Sequence, residues 1–281
     1  MPKNNTSHAP SPLQVISADG TEISYERSGQ GPVVILIAQA LSDLRDNRRL
    51  GALLAASYTV VNYDRRGRGN SSDAGAWDIA REVEDIEALI EAHGGTAVLF
   101  GASSGAVLAL DAAAALPERV VGLIAYEPPA IVDDRRAPVP RDLAERLEQL
   151  IRNGHASDAV REFNRVALGA PALMILAMRA MVGPWRTMVA MAPTAVYDTR
   201  LCVGLQDGNP LSTDRWKALR APSLVLVGSK SEPFMQSGTR ELASLIRAGH
   251  TTIEGAHHAT PMMKPASLIP PVRSFLDAET P

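Results

Sequence analysis

The sequence has little cysteine and no metal-binding spacing, and both facts narrow the possible functions. Of 281 residues only Cys202 is a cysteine, so no disulfide can form within the chain. One lone thiol suits a reducing compartment, and we expect a cytoplasmic protein. The six histidines form no HExxH motif and no cluster with cysteine. The sequence therefore predicts neither a metal site nor a metal cofactor.

The chain also lacks an excess of positive charge and long apolar runs. Its 28 Lys and Arg residues stand against 31 Asp and Glu, a net charge of −3. Such a charge balance leaves no excess of positive charge that would attract nucleic acid or an acidic membrane surface. No uncharged apolar span reaches the roughly 18 residues that a membrane-spanning helix needs. We therefore expect a small-molecule partner, with no nucleic acid and no membrane, and the sequence leaves a homodimer open.

What the chain does contain is an alternation of strand and helix patterns. Short, mostly apolar runs are typical of strands buried on both faces of a parallel sheet. They lie at 33–38, 58–63, 98–100, 120–126 and 223–227, and a further short strand is predicted around 251–254. Helical periodicity separates them, and a hairpin pattern at 13–27 precedes them. This alternation predicts an α/β fold with a mostly parallel sheet covered by helices on both faces.

The alternation stops between residues 131 and 198, where only helical patterns occur. The most apolar part, Ala172–Met191, contains Met174, Met178, Met181, Met188 and Met191. We predict a helical cap at 131–198, inserted into a core formed by 13–130 and 199–281. Residues 1–12 are predicted to be a flexible arm rather than a signal peptide. Because methionine side chains are flexible and polarizable, the inner face of the cap is expected to line an apolar pocket.

The most informative stretch is Gly101-Ala102-Ser103-Ser104-Gly105, which fits G-x-S-x-G between a short apolar strand and an Ala-rich helix. A strand that turns at once into a helix crowds the residues two before and two after the nucleophile, so only very small residues fit there. Ser103 is the predicted nucleophile, and the Ser104 N–H, at the helix start, is a predicted oxyanion donor. The alternative is a tight strand–helix turn without chemistry.

A serine hydroxyl needs a base and a group that orients the base. Gly255-Ala256-His257-His258 follows the last predicted strand, and its G-x-x-H spacing indicates His258 rather than His257 as the base. Two carboxylates compete for the third role. Glu127 ends the strand at 120–126, whereas Glu232 follows Ser231, which stands where an Asp would be expected. The residues favour Glu127 and leave Glu232 open.

Two loops complete the predicted site. The second oxyanion donor is expected to be the N–H of Ala40, in the loop after the strand at 33–38. The preceding Gln39 either points its amide into the site or fills space. Asp64-Arg65-Arg66-Gly67-Arg68-Gly69 contains three arginines, but no helix start follows at the distance that phosphate binding requires. We expect a structural turn with Asp–Arg pairs there.

Together these motifs resemble the α/β-hydrolase superfamily, and most closely its small bacterial, actinobacterial-like members with a helical cap. The resemblance rests on 60–69, 100–105, 126–129 and 255–258 and covers nearly the whole chain from Leu13. It implies an α/β-hydrolase fold. Some haloalkane dehalogenases also place their acid where Glu127 stands. They use an Asp nucleophile, however, and Ser103 argues against dehalogenation. Gln39 stands where the family usually has Gly.

The function expected from the sequence is that of a cofactor-free serine hydrolase. It would cleave an apolar carboxylic ester or lactone through Ser103, His258 and Glu127, with the N–H groups of Ser104 and Ala40 holding the oxyanion. One alternative is a cyclase, perhydrolase or lyase built on the same fold. Another is a module that binds a ligand without turning it over.

Overall fold

The computed structural model describes residues 12–212 and 214–279, and the N-terminal arm predicted at 1–12 lies almost entirely outside them. One eight-stranded sheet has the order β1-β2-β4-β3-β5-β6-β7-β8. The strands are β1 (Leu13–Ile16), β2 (Glu22–Ser28), β3 (Val33–Ile37), β4 (Thr59–Tyr63), β5 (Ala97–Ala102), β6 (Val120–Tyr126), β7 (Ser223–Gly228) and β8 (Gly249–Ile253). Only the β1–β2 and β2–β4 pairs are antiparallel. The predicted α/β fold with a mostly parallel sheet is confirmed.

Eleven α-helices occur in the described part of the chain. They are α1 (Leu44–Leu54), α2 (Ile79–Ala92), α3 (Ser104–Ala115), α4 (Leu143–Arg152), α5 (Ala156–Val166), α6 (Ala172–Ala180), α7 (Val182–Ala190), α8 (Ala192–Leu201), α9 (Pro233–Leu245), α10 (Thr260–Met263) and α11 (Ile269–Glu279). The core helices cover both faces of the sheet: α1 and α11 pack on one face, and α2, α3 and α9 on the other. Burial on both faces explains why β3 and β5 read as uninterrupted apolar runs.

Two helical segments show the effect of proline. Helix α9 begins at Pro233, whose fixed φ and missing N–H suit a first helical position. The apolar segment Ala172–Met191 forms two helices, α6 and α7, with a break at Met181. Pro184 explains the break, because it has no N–H to donate to the carbonyl four residues earlier.

Helices α4 to α8 lie between β6 and β7, and we call them the cap helices. They pack around an apolar cluster of their own, which includes Leu147, Phe163 and Trp185 and extends to Val227 and Phe234 of the core. The last cap helix ends at Leu201 rather than at the predicted boundary, 198. The division into core and cap stays a proposal. Within 12–212 and 214–279, no helix combines the length and apolar character needed to cross a membrane.

Candidate active site

Ser103 occupies the junction of β5 and α3 in a strained backbone conformation. Its φ of 53° and ψ of −123° lie in a region that L-residues rarely adopt. Its N–H donates to the Tyr126 carbonyl at 2.8 Å, and the residue is 4% exposed. The strand and the helix therefore hold Ser103 in one orientation at the carboxyl end of the sheet, where open α/β sheets bind their ligands.

The glycines on either side of Ser103 are required by backbone crowding, as the motif predicts. A Cβ on Gly101 would lie 2.2 Å from the Gly105 carbonyl oxygen. A Cβ on Gly105 would lie 2.5 Å from the Ile37 oxygen and 2.7 Å from the Ala38 oxygen. These oxygens belong to the main chain and cannot swing aside. The small residues of G-x-S-x-G are therefore a packing requirement of the turn.

This crowding gives a test of the local geometry. We expect Gly105→Ala to lower the free energy of unfolding by about 1–3 kcal/mol, because the added methyl displaces the end of β3. Gly183→Ala is the matched control: it has open space for a Cβ and lies in α7. A helical Gly→Ala change is expected to stabilise the protein by up to about 1 kcal/mol. Urea denaturation of both variants checks the difference, and equal stabilities would contradict the packing argument.

Glu127 follows β6 and is fully buried, with a φ of 48°. Its Oε2 lies 2.8 Å from Nδ1 of His258. Its Oε1 accepts hydrogen bonds from the Gly228 N–H at 2.7 Å and from the Ser231 hydroxyl. Burial raises the pKa of Glu127, but the hydrogen bond and charge of His258, with the Ser231 and Gly228 donors, outweigh it and leave the pKa below its ordinary value. The carboxylate is therefore held ionised.

The structure distinguishes the two neighbouring histidines. His258 presents Nδ1 to Glu127, and its side chain stays 34% exposed. His257 is fixed by its backbone instead: its carbonyl accepts from the Tyr126 hydroxyl, and its N–H donates to the Thr260 hydroxyl, both at 2.8 Å. His258, the histidine chosen by the G-x-x-H spacing, is the one that contacts a carboxylate.

The structure also distinguishes the two candidate acids, Glu127 and Glu232. Glu232 lies just before α9, is exposed, and forms no hydrogen bond to His258 in the described part of the chain. Ser231, which stands where an Asp would be expected, donates to Glu127. The contact between Ser231 and Glu127 was not predicted from the sequence. The sequence showed only that position 231 is polar and that Glu127 ends another strand.

Ser103 and His258 are not in hydrogen-bond contact. Among the residues described, the Ser103 hydroxyl forms no hydrogen bond within 3.5 Å. The structure thus joins His258 to Glu127, and places Ser103 on the strained turn without completing the serine–histidine contact.

The predicted oxyanion donors lie on two different elements. Ser104 is the first residue of α3, so its N–H has no acceptor within the helix. Ala40 lies in the loop after β3 and lines a large cavity. The neighbouring Gln39 also lines this cavity, and its Nε2 contacts the Met262 sulfur. The Gln39 amide therefore faces the cavity wall.

The loop that carries Ala40 is held by buried arginines. Arg68 donates from Nη1 to the Gln39 carbonyl at 2.6 Å and to the Ser42 carbonyl at 3.2 Å. Arg65 donates to the Ala38 carbonyl at 3.3 Å. Because these arginines bind the carbonyls of the loop, the main chain around Ala40 is fixed in one orientation. The sequence predicted a structural role for these arginines, but it did not predict that they hold the loop that carries Ala40.

The acidic partners of the arginines come mostly from distant parts of the chain. Asp198, on α8, accepts from Arg65 at 2.8 Å and from Arg68 at 2.7 Å. The other ion pairs are Arg65–Glu82, Arg66–Asp85 and Arg66–Asp19. The expected Asp–Arg pairs are therefore present, but in the described part of the chain Asp64 forms none of them and accepts the backbone N–H groups of Leu44 and Asn70 instead. Burial raises the pKa of Asp198, but Arg68 and Arg65 outweigh it and lower the pKa below its ordinary value.

Through Arg65 and Arg68, Asp198 connects a cap helix to the loop that carries Ala40, and we expect its removal to destabilise the protein. We expect Asp198→Asn to lower the free energy of unfolding by about 3 kcal/mol, because Arg68 is left buried without a counter-charge. The matched control is Glu118→Gln in the Arg220–Glu118 pair, whose side chains are 74% and 83% exposed. That change should cost less than about 1 kcal/mol. Similar losses for the two variants in urea denaturation would contradict this role.

A cavity of about 980 Å³ lies between the cap helices and the core. Ala40, Ser231 and His258 line it. Methionines from the cap helices, α9 and α10 form much of its wall: Met174, Met178, Met188, Met191, Met235 and Met262. Four of the five cap methionines expected at an apolar pocket therefore line it, while Met181 is 58% exposed. A flexible, polarizable wall suits an adaptable apolar ligand.

Within the residues that the structure describes, no three His, Cys, Asp or Glu side chains are grouped so as to hold a metal ion.

Comparison with known proteins agrees with the α/β fold. A family described as the alpha/beta hydrolase family matches residues 42–269. An alpha/beta hydrolase from Sphaerobacter thermophilus is 38% identical and superposes with a TM-score of 0.85, covering 94% of this chain and all of that one.

Two curated relatives are more distant. One is "Uncharacterized hydrolase YraK" from Bacillus subtilis, 28% identical over 58% of this chain and 61% of the relative, so the chain spans about three fifths of that protein. The other is a zearalenone hydrolase from Cladophialophora bantiana, 26% identical over 71% of this chain and 86% of the relative.

Proposed function

The chain belongs to the alpha/beta hydrolase family, and we propose that it is a serine hydrolase that cleaves an apolar carboxylic ester or lactone. The observation that carries this proposal is the buried Glu127 carboxylate at 2.8 Å from Nδ1 of His258, in a protein that also holds Ser103 on a strained strand–helix turn. A carboxylate at Nδ1 fixes the tautomer in which Nε2 is free to accept a proton. That is the arrangement by which a neutral serine is made nucleophilic.

In the proposed reaction, the Ser103 hydroxyl attacks the carbonyl carbon while His258 accepts its proton. The negative charge develops on the carbonyl oxygen, where the N–H groups of Ser104 and Ala40 donate hydrogen bonds. The intermediate collapses, His258 protonates the leaving alcohol, and an acyl group remains on Ser103. A water molecule, deprotonated by His258, then releases the acid and restores the serine. Glu127 stabilises the imidazolium throughout and stays ionised.

The cavity supports the proposed substrate class. Its methionine-rich wall favours apolar acyl or alcohol groups, and its volume of about 980 Å³ is at the upper end of small-molecule pockets. Similarity to a relative named as a zearalenone hydrolase supports including that compound among the candidates.

The proposal is tested by measuring hydrolysis of p-nitrophenyl esters from short to medium acyl length, together with simple lactones and zearalenone. We expect kcat/KM for the esters to rise with acyl length until the cavity is filled, since each added methylene buries apolar surface worth about 0.8 kcal/mol. No hydrolysis of any ester or lactone would sink the proposed activity and favour specialised chemistry on the same fold.

A further inference from the structure

Arg136 is a basic residue of the cavity wall that the proposed reaction does not use. It lies between β6 and α4 and shares the cavity with His258. Its Nη2 donates to the Ala167 carbonyl at 2.7 Å and to the Val166 carbonyl at 3.2 Å, at the C-terminal end of α5. The guanidinium carbon sits 4.7 Å from the centre of the Phe234 ring. Two carbonyls and an aromatic face therefore hold the guanidinium in place.

The neighbouring loop leaves room for this guanidinium. A Cβ on Gly169 would lie 3.1 Å from Nη2 of Arg136 and 3.4 Å from its central carbon. Gly169 also has a φ of +69°, which itself favours glycine. The turn after α5 thus packs closely against the arginine.

Arg136 lacks a carboxylate partner. Among the residues described, no Asp or Glu forms an ion pair with it, whereas Arg45, elsewhere on the cavity wall, pairs with Asp43. Glu232 also lines the cavity, and its charge acts on Arg136 without such a contact. Burial lowers the pKa of Arg136. This direction indicates that the surrounding protein groups replace only part of the water that would otherwise solvate the cation.

Two of its three nitrogens remain available. Nε and Nη1 form no hydrogen bond to any residue within the described ranges, and both stay accessible. A guanidinium keeps its charge even when partly buried, and an unpaired charge there is costly. An anion brought by a ligand would supply the missing partner.

We propose that Arg136 binds a carboxylate of the substrate, so that the enzyme acts on esters or lactones whose apolar chain carries a carboxylate. This inference rests on the proposed function. The methionine wall would hold the chain, while Nη1 or Nε donates a charge-assisted hydrogen bond to its acidic end. Glu232 opposes such a ligand by like-charge repulsion and thereby limits its affinity.

The test compares two esters of equal chain length, 4-nitrophenyl hexanoate and the mono-4-nitrophenyl ester of adipic acid. We expect the wild type to prefer the acidic ester in kcat/KM. Arg136→Gln should lower kcat/KM for the acidic ester about 10- to 100-fold, the value of one hydrogen bond to a charged group. The neutral ester should change less than about threefold.

Glu232→Gln is the matched second variant, because Glu232 is exposed and its removal should leave the fold intact. It is expected to raise kcat/KM for the acidic ester more than kcat/KM for the neutral ester. Equal losses for both esters in Arg136→Gln, with a lowered melting temperature, would overturn the proposal and leave Arg136 as a helix cap. A wild type that prefers the neutral ester would overturn it as well.

A binding measurement separates this inference from the proposed function. Calorimetry of hexanoate and hexanamide with the full-length protein requires no turnover. If no ester is hydrolysed, tighter binding of hexanoate that is lost in Arg136→Gln still supports the carboxylate site. Equal binding of the two compounds, or no effect of Arg136→Gln, overturns it.

Discussion

Ser103→Ala is expected to abolish ester turnover, lowering kcat by about a million-fold, while the protein stays folded. Without the hydroxyl no acyl-enzyme can form, and the remaining groups contribute only binding and oxyanion stabilisation. Ser103 donates no side-chain hydrogen bond in the described structure, so its removal leaves no buried partner unpaired. The loss should therefore appear in kcat and not in the melting temperature.

Ser104→Ala is the matched control for this experiment. The Ser104 hydroxyl is buried and forms no hydrogen bond within 3.5 Å among the residues described, although it helps to lower the pKa of Asp198. The proposed oxyanion donor is the backbone N–H of Ser104, which alanine keeps. We expect this variant to retain most of the wild-type rate. Loss of activity in Ser104→Ala alone, or a Ser103→Ala enzyme with normal turnover, would contradict the assignment of the nucleophile.

Glu127→Gln is expected to lower kcat about 10⁴-fold. The amide is nearly the same size as the carboxylate, but its NH₂ group would donate towards Nδ1 and favour the wrong tautomer of His258. It would also leave the forming imidazolium without a counter-charge. Because the pKa of Glu127 is below its ordinary value, the wild-type carboxylate is ionised at neutral pH, and this loss should be seen there.

The control for this prediction is Glu232→Gln. Glu232 is exposed and forms no hydrogen bond to His258 in the described part of the chain. Its replacement should leave kcat for a neutral ester within about twofold, as expected for an exposed charge at the cavity wall that forms no hydrogen bond to His258. Steady-state kinetics of the two variants on one neutral ester decides between the carboxylates, and a larger loss in Glu232→Gln would reverse the assignment.

Much of the core could be predicted because local sequence and tertiary environment agree there. The apolar runs at 33–38 and 120–126 are long enough for strands and are flanked by helical periodicity, so burial on both faces was the consistent interpretation. The crowding at Gly101 and Gly105 follows from the turn itself and needed no knowledge of distant residues. Sequence spacing also selected His258, the histidine that contacts Glu127.

The remaining features depend on residues that are far apart in the chain. Asp198 pairs with Arg65 and Arg68 across about 130 positions, and nothing local to either segment indicates the other. Ser231 reaches Glu127 from the neighbouring strand end, so its role required the strand order. In such cases charge patterns predict that partners exist, but only the fold identifies them.

The proposed mechanism requires a covalent acyl-enzyme on Ser103, and labelling with a fluorophosphonate probe tests whether this serine is reactive. The probe reacts with an activated serine whatever the natural acyl group, and peptide mass spectrometry locates the adduct. We expect a single adduct on Ser103, absent from Ser103→Ala and strongly slowed in Glu127→Gln. An unlabelled wild-type protein, or an adduct that persists in Ser103→Ala, would contradict it.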